Sequence, residues 1–356
     1  MDTIQNPDYF KGRGAQVNTH NKFVAQRYVA DHIEGLDEAF LENSTTQLIN
    51  TYPKTIISPN DSPDVYAGYS LNPYQGCEHG CIYCYARNAH EYWGYSAGLD
   101  FERKIIVKRD AAAVLERQLN ARNYRPQPIM LSGNTDCYQP VERKLGITRT
   151  ILRVLLQHRH PVSIITKNNL ILRDLDILRQ LADLGLVHVA ISLTTLQEEL
   201  RQKMEPRTVT ANGRLAVIRK LSDAGIPVMV MCAPLIPGLN SSEVPQLIEA
   251  AAHHGASAAG YTIVRLNGAI GELFADWVHK AYPDRADKVL HGIAACHGGK
   301  LNDSRFTTRM KGEGHEAETI RQLFKLSVKK HLAHRQLPPL RHDLFTPKGG
   351  KQLDLF

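Results

Sequence analysis

The sequence has no long apolar run. Nowhere in its 356 residues do hydrophobic side chains continue for the roughly 18 to 20 positions that a bilayer-spanning helix needs, although they make up 43% of the chain. That pattern excludes a helical membrane protein and predicts a soluble one with a sizeable core. The first residues, Met1-Asp-Thr-Ile-Gln-Asn-Pro7, carry neither the basic start nor the apolar middle of a secretion signal. The expected compartment is the cytoplasm. Cysteine is also sparse, with six residues in the whole chain. A cytosolic thiol pool keeps cysteines reduced, so close-set ones there read as ligands rather than disulfide partners.

The formal charge is +7, and its distribution says more than its size. From Lys300 to Phe356 twelve lysines and arginines face six aspartates and glutamates, so nearly all of the excess is C-terminal. A basic end can steer a chain towards phosphate backbones. A solvated surface is the plainer reading of the same residues.

Along the chain, residues 1–55 are polar and lack sustained periodicity, which predicts an irregular arm with at most one short helix. Lys11-Gly-Arg-Gly14 reads as a flexible turn or a weak phosphate contact. Short apolar runs then alternate with helical patterns. The runs are Thr55-Ile-Ile-Ser-Pro59, Tyr69-Ser-Leu71, Lys104-Ile-Ile-Val-Lys108, Pro128-Ile-Met-Leu131, Val162-Ser-Ile-Ile-Thr166, Val187-His-Val-Ala-Ile-Ser192, Pro227-Val-Met-Val-Met231 and Ala259-Gly-Tyr-Thr-Ile-Val264. Helices are predicted over 111–119, behind Asp110, and near 145–159, 173–184, 210–224 and 243–253. A repeat of roughly 30 residues is that of a βαβ unit and predicts a parallel sheet. Six units are too few for a closed eight-stranded barrel, so the expected fold is α/β, a partial (β/α)6 barrel over 56–300. A basic extension would follow over 301–356.

The chain is organised around Asn72-Pro-Tyr-Gln-Gly-Cys77-Glu-His-Gly-Cys81-Ile-Tyr-Cys84-Tyr-Ala-Arg87. Three cysteines at the spacing Cys-x3-Cys-x2-Cys, in a loop punctuated by glycine, read as a metal or cluster site. A structural zinc would need a fourth ligand, from His79, His90 or a distant cysteine. A four-iron cluster held by three cysteines leaves one iron open to a small ligand. The spacing, with Tyr83 and Tyr85 flanking the third cysteine, resembles the signature of the radical S-adenosylmethionine (SAM) superfamily. Within it, Ser70 to Ala86, Ser132-Gly-Asn-Thr-Asp136, Thr166-Lys167, Ile191-Ser-Leu193, Glu205-Pro-Arg207 and Ala233-Pro-Leu-Ile-Pro-Gly238 resemble the spore photoproduct lyase-like branch, the DNA repair photolyases. The likeness spans roughly 56–310.

What the resemblance implies is specific. Cys77, Cys81 and Cys84 would hold a [4Fe-4S] cluster whose open iron binds SAM, and reduction, by a donor such as flavodoxin or ferredoxin, would yield a 5′-deoxyadenosyl radical. Tyr83 would face the adenine side or serve as a core aromatic. Ser132, Gly133 and Asn134 would meet the methionine amino group through backbone carbonyls. Lys167 and Ser192 would reach the carboxylate and ribose, and Ala233, Pro234 and Gly238 would border the adenine. Glu205 and Arg207 would order the mouth as an ion pair. One position departs from the branch: Gly133 stands where the lyases carry a hydrogen-donating cysteine, and Cys137, four residues on, is either a substitute catalytic donor or a buried core residue. Cys232 and Cys296 read as core.

Three functions follow as expectations: a radical SAM enzyme acting on nucleic acid in the manner of DNA lesion repair; one that modifies RNA, protein or a small metabolite; and a non-enzymatic cluster or zinc protein that binds nucleic acid. At the C-terminus, Pro347-Lys-Gly-Gly350 reads as a tether. The final Gln352, Leu353, Asp354, Leu355 and Phe356 resemble the pentapeptide by which bacterial polymerases and repair proteins dock on the sliding clamp.

Overall fold

The computed structural model describes residues 9–23, 45–65 and 67–347. Its main sheet has seven strands: β2 (Ile57–Pro59), β3 (Tyr69–Leu71), β6 (Ile129–Leu131), β7 (Val162–Thr166), β8 (Val187–Ser192), β9 (Val228–Leu235) and β10 (Ala258–Ile263), in the order β10-β9-β8-β7-β6-β3-β2. Every neighbouring pair is parallel except β2–β3. Six parallel strands, β3 and β6 to β10, therefore make an open barrel, as the six-unit count predicts. Along β7 and β8 every second residue is fully buried, the period expected when one face of a strand is sealed in a core.

Helices pack on the outside because each carries an apolar stripe. Ile147–Gln157 buries Ile151, Leu152 and Leu155, and Ala211–Asp223 buries Val217, Ile218 and Leu221. Burying each such side chain contributes about 1.5–3 kcal/mol. Ala211–Asp223 starts where predicted because the Thr210 hydroxyl accepts the Gly213 amide at 3.2 Å, an N-cap. Among the described residues no helix is long and apolar enough to cross a membrane.

Two expectations need correction. The arm over 1–55 is not wholly irregular: β1 (Gln47–Thr51) runs parallel to β5 (Lys104–Lys108), which also pairs with β4 (Tyr74–Gln75) in a separate three-stranded sheet. Strand β1 is largely exposed, so its sequence carries no alternation to announce it. Nor is Lys11-Gly-Arg-Gly14 a free turn, since Arg13, Gly14 and Ala15 are buried. The early segment over 24–44, with Asp37-Glu38, lies outside the described residues.

The C-terminal extension belongs to the barrel. Helix Gly314–Leu332 places Ala317, Ile320 and Leu332 in the main core, and the Phe324 ring meets Tyr261 of β10 at 4.4 Å. The chain then returns beneath the sheet. Arg341 donates its amide to the Gly185 carbonyl ahead of β8, and Phe345 packs on His158 and His160 ahead of β7. The described chain thus ends at the face opposite the cysteine loop. Gln352 to Phe356 lie outside the described residues.

Candidate active site

All six parallel strands deliver a loop to one end. The cysteine loop follows β3, Ser132 to Asp136 follow β6, Lys167 follows β7, Ser192 ends β8 with Leu193 to Thr195 after it, Ile236 to Gly238 follow β9, and Arg265 follows β10. In barrels of this kind reactive groups stand at the C-terminal strand ends.

The cysteine loop is held from behind. Arg87, fully buried, donates to the carbonyls of Gly80 (3.1 Å), Cys81 (2.9 Å), Ala97 (3.1 Å) and Gly98 (2.9 Å), and pairs with buried Glu102 at 2.6 Å. Glu102 also accepts the amides of Ala15 (2.8 Å) and Gly14 (3.4 Å), which ties the N-terminal segment across the loop. The approach is close enough that a Cβ at Gly14 would lie 1.7 Å from the Gly80 carbonyl oxygen. Glu78 faces the other way: its amide donates to Gln139 Oε1 (2.9 Å), and its carboxylate accepts the Val141 amide (2.6 Å) and the Thr46 hydroxyl (3.0 Å).

Cys77 and Cys81 are buried and Cys84 is half-buried, and none is in a disulfide. Burial pushes the Cys81 thiol up to about 12, against the pull of Lys167 and with Glu205 and Cys84 adding to the rise; Cys77 is raised as well, by burial first and then by Asp136, Cys81 and Cys84. Buried thiols that resist ionisation on their own, as Cys77 and Cys81 do, suit a cationic centre such as an iron–sulfur cluster. Among the described residues no three histidines, cysteines or carboxylates converge as a single metal ion would require.

Beside the cysteines lies a buried polar layer. His79 Nδ1 stands 3.3 Å from the Asp136 carboxylate and Nε2 stands 3.2 Å from Asn168 Nδ2. Asp136 also accepts the Thr166 hydroxyl (2.8 Å) and the amides of Lys167 (2.9 Å) and Tyr138 (2.9 Å). Burial raises this carboxyl, but His79 and the amide donors outweigh it and hold it at about 2. A second layer centres on Glu205. It pairs with Arg214, accepts the Tyr83 hydroxyl, and takes the Thr194 hydroxyl at 2.9 Å. Burial opposes its charge, yet Arg214 and Lys167 hold Glu205 down at about 2. The partner expected for Glu205 was Arg207. That residue is exposed instead, and Arg214 reaches Glu205 because helix Ala211–Asp223 carries it back under the loop.

The predicted site residues gather at the same mouth. Tyr83 is buried with its hydroxyl on Glu205, and the Lys167 ammonium stands 5.8 Å from its ring centroid. Ser132 has φ of +82°, unusual for a residue with a side chain, and its Oγ accepts the Cys137 amide at 2.7 Å. The Gly133 carbonyl accepts the Tyr85 hydroxyl, and the Asn134 amide donates to Asn72 Oδ1 at 2.7 Å. The Ser192 carbonyl accepts from Arg214 at 3.0 Å, Ala233 and Pro234 close β9, and Gly238 turns at φ +77°. Cys137 is fully buried in the main core, its carbonyl accepting the Thr148 hydroxyl at 2.6 Å, and burial raises its thiol well above the usual range. Cys232 and Cys296 are core residues. Asp136, Arg87, Glu102 and Arg214 carry no site role in the sequence reading, and His79 enters it only as a possible zinc ligand. Asp136 and Arg87 stand inside the quoted motifs, but nothing local shows that their partners lie far along the chain.

Residues 71–251 match the Radical SAM superfamily. The chain belongs to that superfamily. Membership implies a [4Fe-4S] cluster and SAM. A protein of Mycobacterium tuberculosis is 36% identical over 218 residues, which cover 61% of this chain and 64% of that one. One of Methanocaldococcus jannaschii is 27% identical over 197 residues, 55% of this chain and 71% of that one. Both carry the name uncharacterized protein. The chain thus spans less than two-thirds of the length of its mycobacterial relative. Among solved structures, a spore photoproduct lyase complexed with dinucleoside spore photoproduct superimposes with a TM-score of 0.60 at 18% identity, covering 81% of each chain. At that identity the likeness is one of fold.

Proposed function

We propose that this radical SAM enzyme acts on nucleic acid and alters or reverses a lesion in a DNA base. The observation that carries the reading is the backbone likeness, over 81% of the chain, to a lyase solved with a dinucleoside lesion. The basic C-terminal extension supports it. With cluster and SAM bound, the chemistry supplied is reductive cleavage to a 5′-deoxyadenosyl radical, using an electron from flavodoxin or ferredoxin. The chain's own residues bind, orient and exclude water. Cys77, Cys81 and Cys84 would hold the cluster. Lys167 would pair with the methionine carboxylate, a charge-assisted contact. The carbonyls of Ser132 to Asn134 would take the amino group, Ser192 the ribose, and the strip from Ala233 through Pro234 to Gly238 the adenine. The Glu205–Arg214 pair fixes the Tyr83 hydroxyl.

Anaerobic turnover with ultraviolet-damaged and undamaged DNA tests the reading. Loss of the lesion together with 5′-deoxyadenosine formation is expected. Abundant 5′-deoxyadenosine with the lesion untouched would contradict it. That outcome would favour modification of RNA, protein or a small metabolite, a reading that gains from Gly133 at the place of the lyases' donor cysteine and from the burial of Cys137 away from solvent.

We further infer, from sequence alone, that Gln352 to Phe356 dock the enzyme on a bacterial sliding clamp, with Leu355 and Phe356 as anchors in an apolar pocket. A peptide of the last ten residues should bind a clamp with a Kd on the order of micromolar, given so small a contact. Equal binding by a peptide carrying Leu355→Ala and Phe356→Ala would remove the idea.

A further inference from the structure

The rim of the mouth carries aromatic and cationic groups that the cofactor positions leave unused. Arg265, two residues beyond β10, is half-buried with its guanidinium carbon 5.9 Å from the centroid of the exposed Tyr85 ring. Among the described residues no hydrogen-bond acceptor engages its donors, of which an arginine has five. Those donors are open to water or to an incoming anion. The adjacent carboxylate is already committed. Asp64 accepts the Thr307 amide at 2.7 Å and Arg309 Nε at 2.5 Å, while Arg309 also donates to Ser62 Oγ at 2.8 Å.

Next to this pair stands Phe306, 53% exposed, with the Arg309 guanidinium 4.4 Å from its ring centroid. Its presentation is fixed. Thr307 turns the chain at φ +66°, ψ −58°, and the Thr308 amide donates to the Phe306 carbonyl at 2.8 Å, a γ-turn. A β-branched residue at positive φ is strained, and here the bond from its amide to Asp64 holds it. One exposed aromatic backed by a cation therefore sits beside one unmatched cation, around a single spent carboxylate.

We propose that this rim docks one unstacked nucleotide of a DNA strand, with its phosphate on Arg265 and its base stacked on Phe306. The inference rests on the nucleic-acid reading and deepens it. The charge is complementary to phosphate, and the exposed ring suits any base, because every base has a π-face.

The test is fluorescence anisotropy of the anaerobic holoenzyme with a labelled oligothymidylate of about twelve nucleotides, within the site sizes of single-strand binders, at several salt concentrations. Phe306→Ala should weaken binding by about 5- to 100-fold with the salt dependence unchanged, as expected for one lost stacking contact. Arg265→Gln should weaken binding and lower the slope of log affinity against log salt by about 0.7, the value for one phosphate contact on a single strand. Lys220→Ala, exposed near the far end of helix Ala211–Asp223, should bind as wild type. Wild-type binding that both rim variants match would overturn the rim and leave the nucleic-acid reading standing. Failure of the wild type to bind either this strand or ultraviolet-damaged duplex would overturn both.

Discussion

Cys81→Ala, and equally Cys77→Ala or Cys84→Ala, yields protein without four-iron absorption after anaerobic reconstitution. The loop provides three thiols and no substitute. His79 already spends Nδ1 on Asp136 and Nε2 on Asn168, and His90 is buried between Tyr95 and Phe101. A three-cysteine cluster has no spare ligand, so losing one removes assembly rather than weakening it. Cys232→Ala is the control. It lies fully buried within β9, so its loss costs packing but leaves the cluster in place. Single variants of the triplet that keep full four-iron absorption would show that the loop is not the ligand set.

The second large effect is expected from Glu102→Ala. Glu102 and Arg87 are both fully buried, and removing the carboxylate leaves the guanidinium uncompensated in the interior. Breaking a buried pair in this way costs about 3–5 kcal/mol. The amides of Gly14 and Ala15 lose their acceptor as well, so the N-terminal segment should detach from the loop along with the stability loss. Arg341→Ala removes an exposed, solvent-screened pair with Asp343 and should leave the unfolding midpoint near that of the wild type. Denaturant unfolding of the two variants distinguishes the cases. Equal midpoints would mean that Arg87 does not depend on Glu102.

The barrel was legible because its signals are local. Val162–Thr166, Val187–Ser192 and Ala111–Leu119 have the limits that their apolar patterns predict. The cysteine loop was legible for a different reason: ligand chemistry imposes a spacing within eight residues, and no packing contact imitates it. What escaped were partners distant in sequence. The Glu205–Arg214 pair joins two elements through a turn whose path no residue pattern announces, and the nearer Arg207 offered a plausible charge. Nothing in the sequence pairs Arg87 with Glu102 or shows that the N-terminal segment covers them. Strand β1 pairs with β5 across more than fifty residues of chain. The rim formed by Asp64, Arg265, Phe306 and Arg309 draws on three separated stretches, none of which has a motif.

An anaerobic cleavage assay decides whether Cys77, Cys81 and Cys84 make this barrel a SAM-cleaving site. Anaerobically reconstituted protein is mixed with SAM and dithionite, and bound iron and released 5′-deoxyadenosine are quantified. About four irons per chain are predicted, with 5′-deoxyadenosine accumulating in the wild type and absent from Cys81→Ala. Bound zinc in place of iron, or a four-iron protein that leaves SAM intact, would contradict the account.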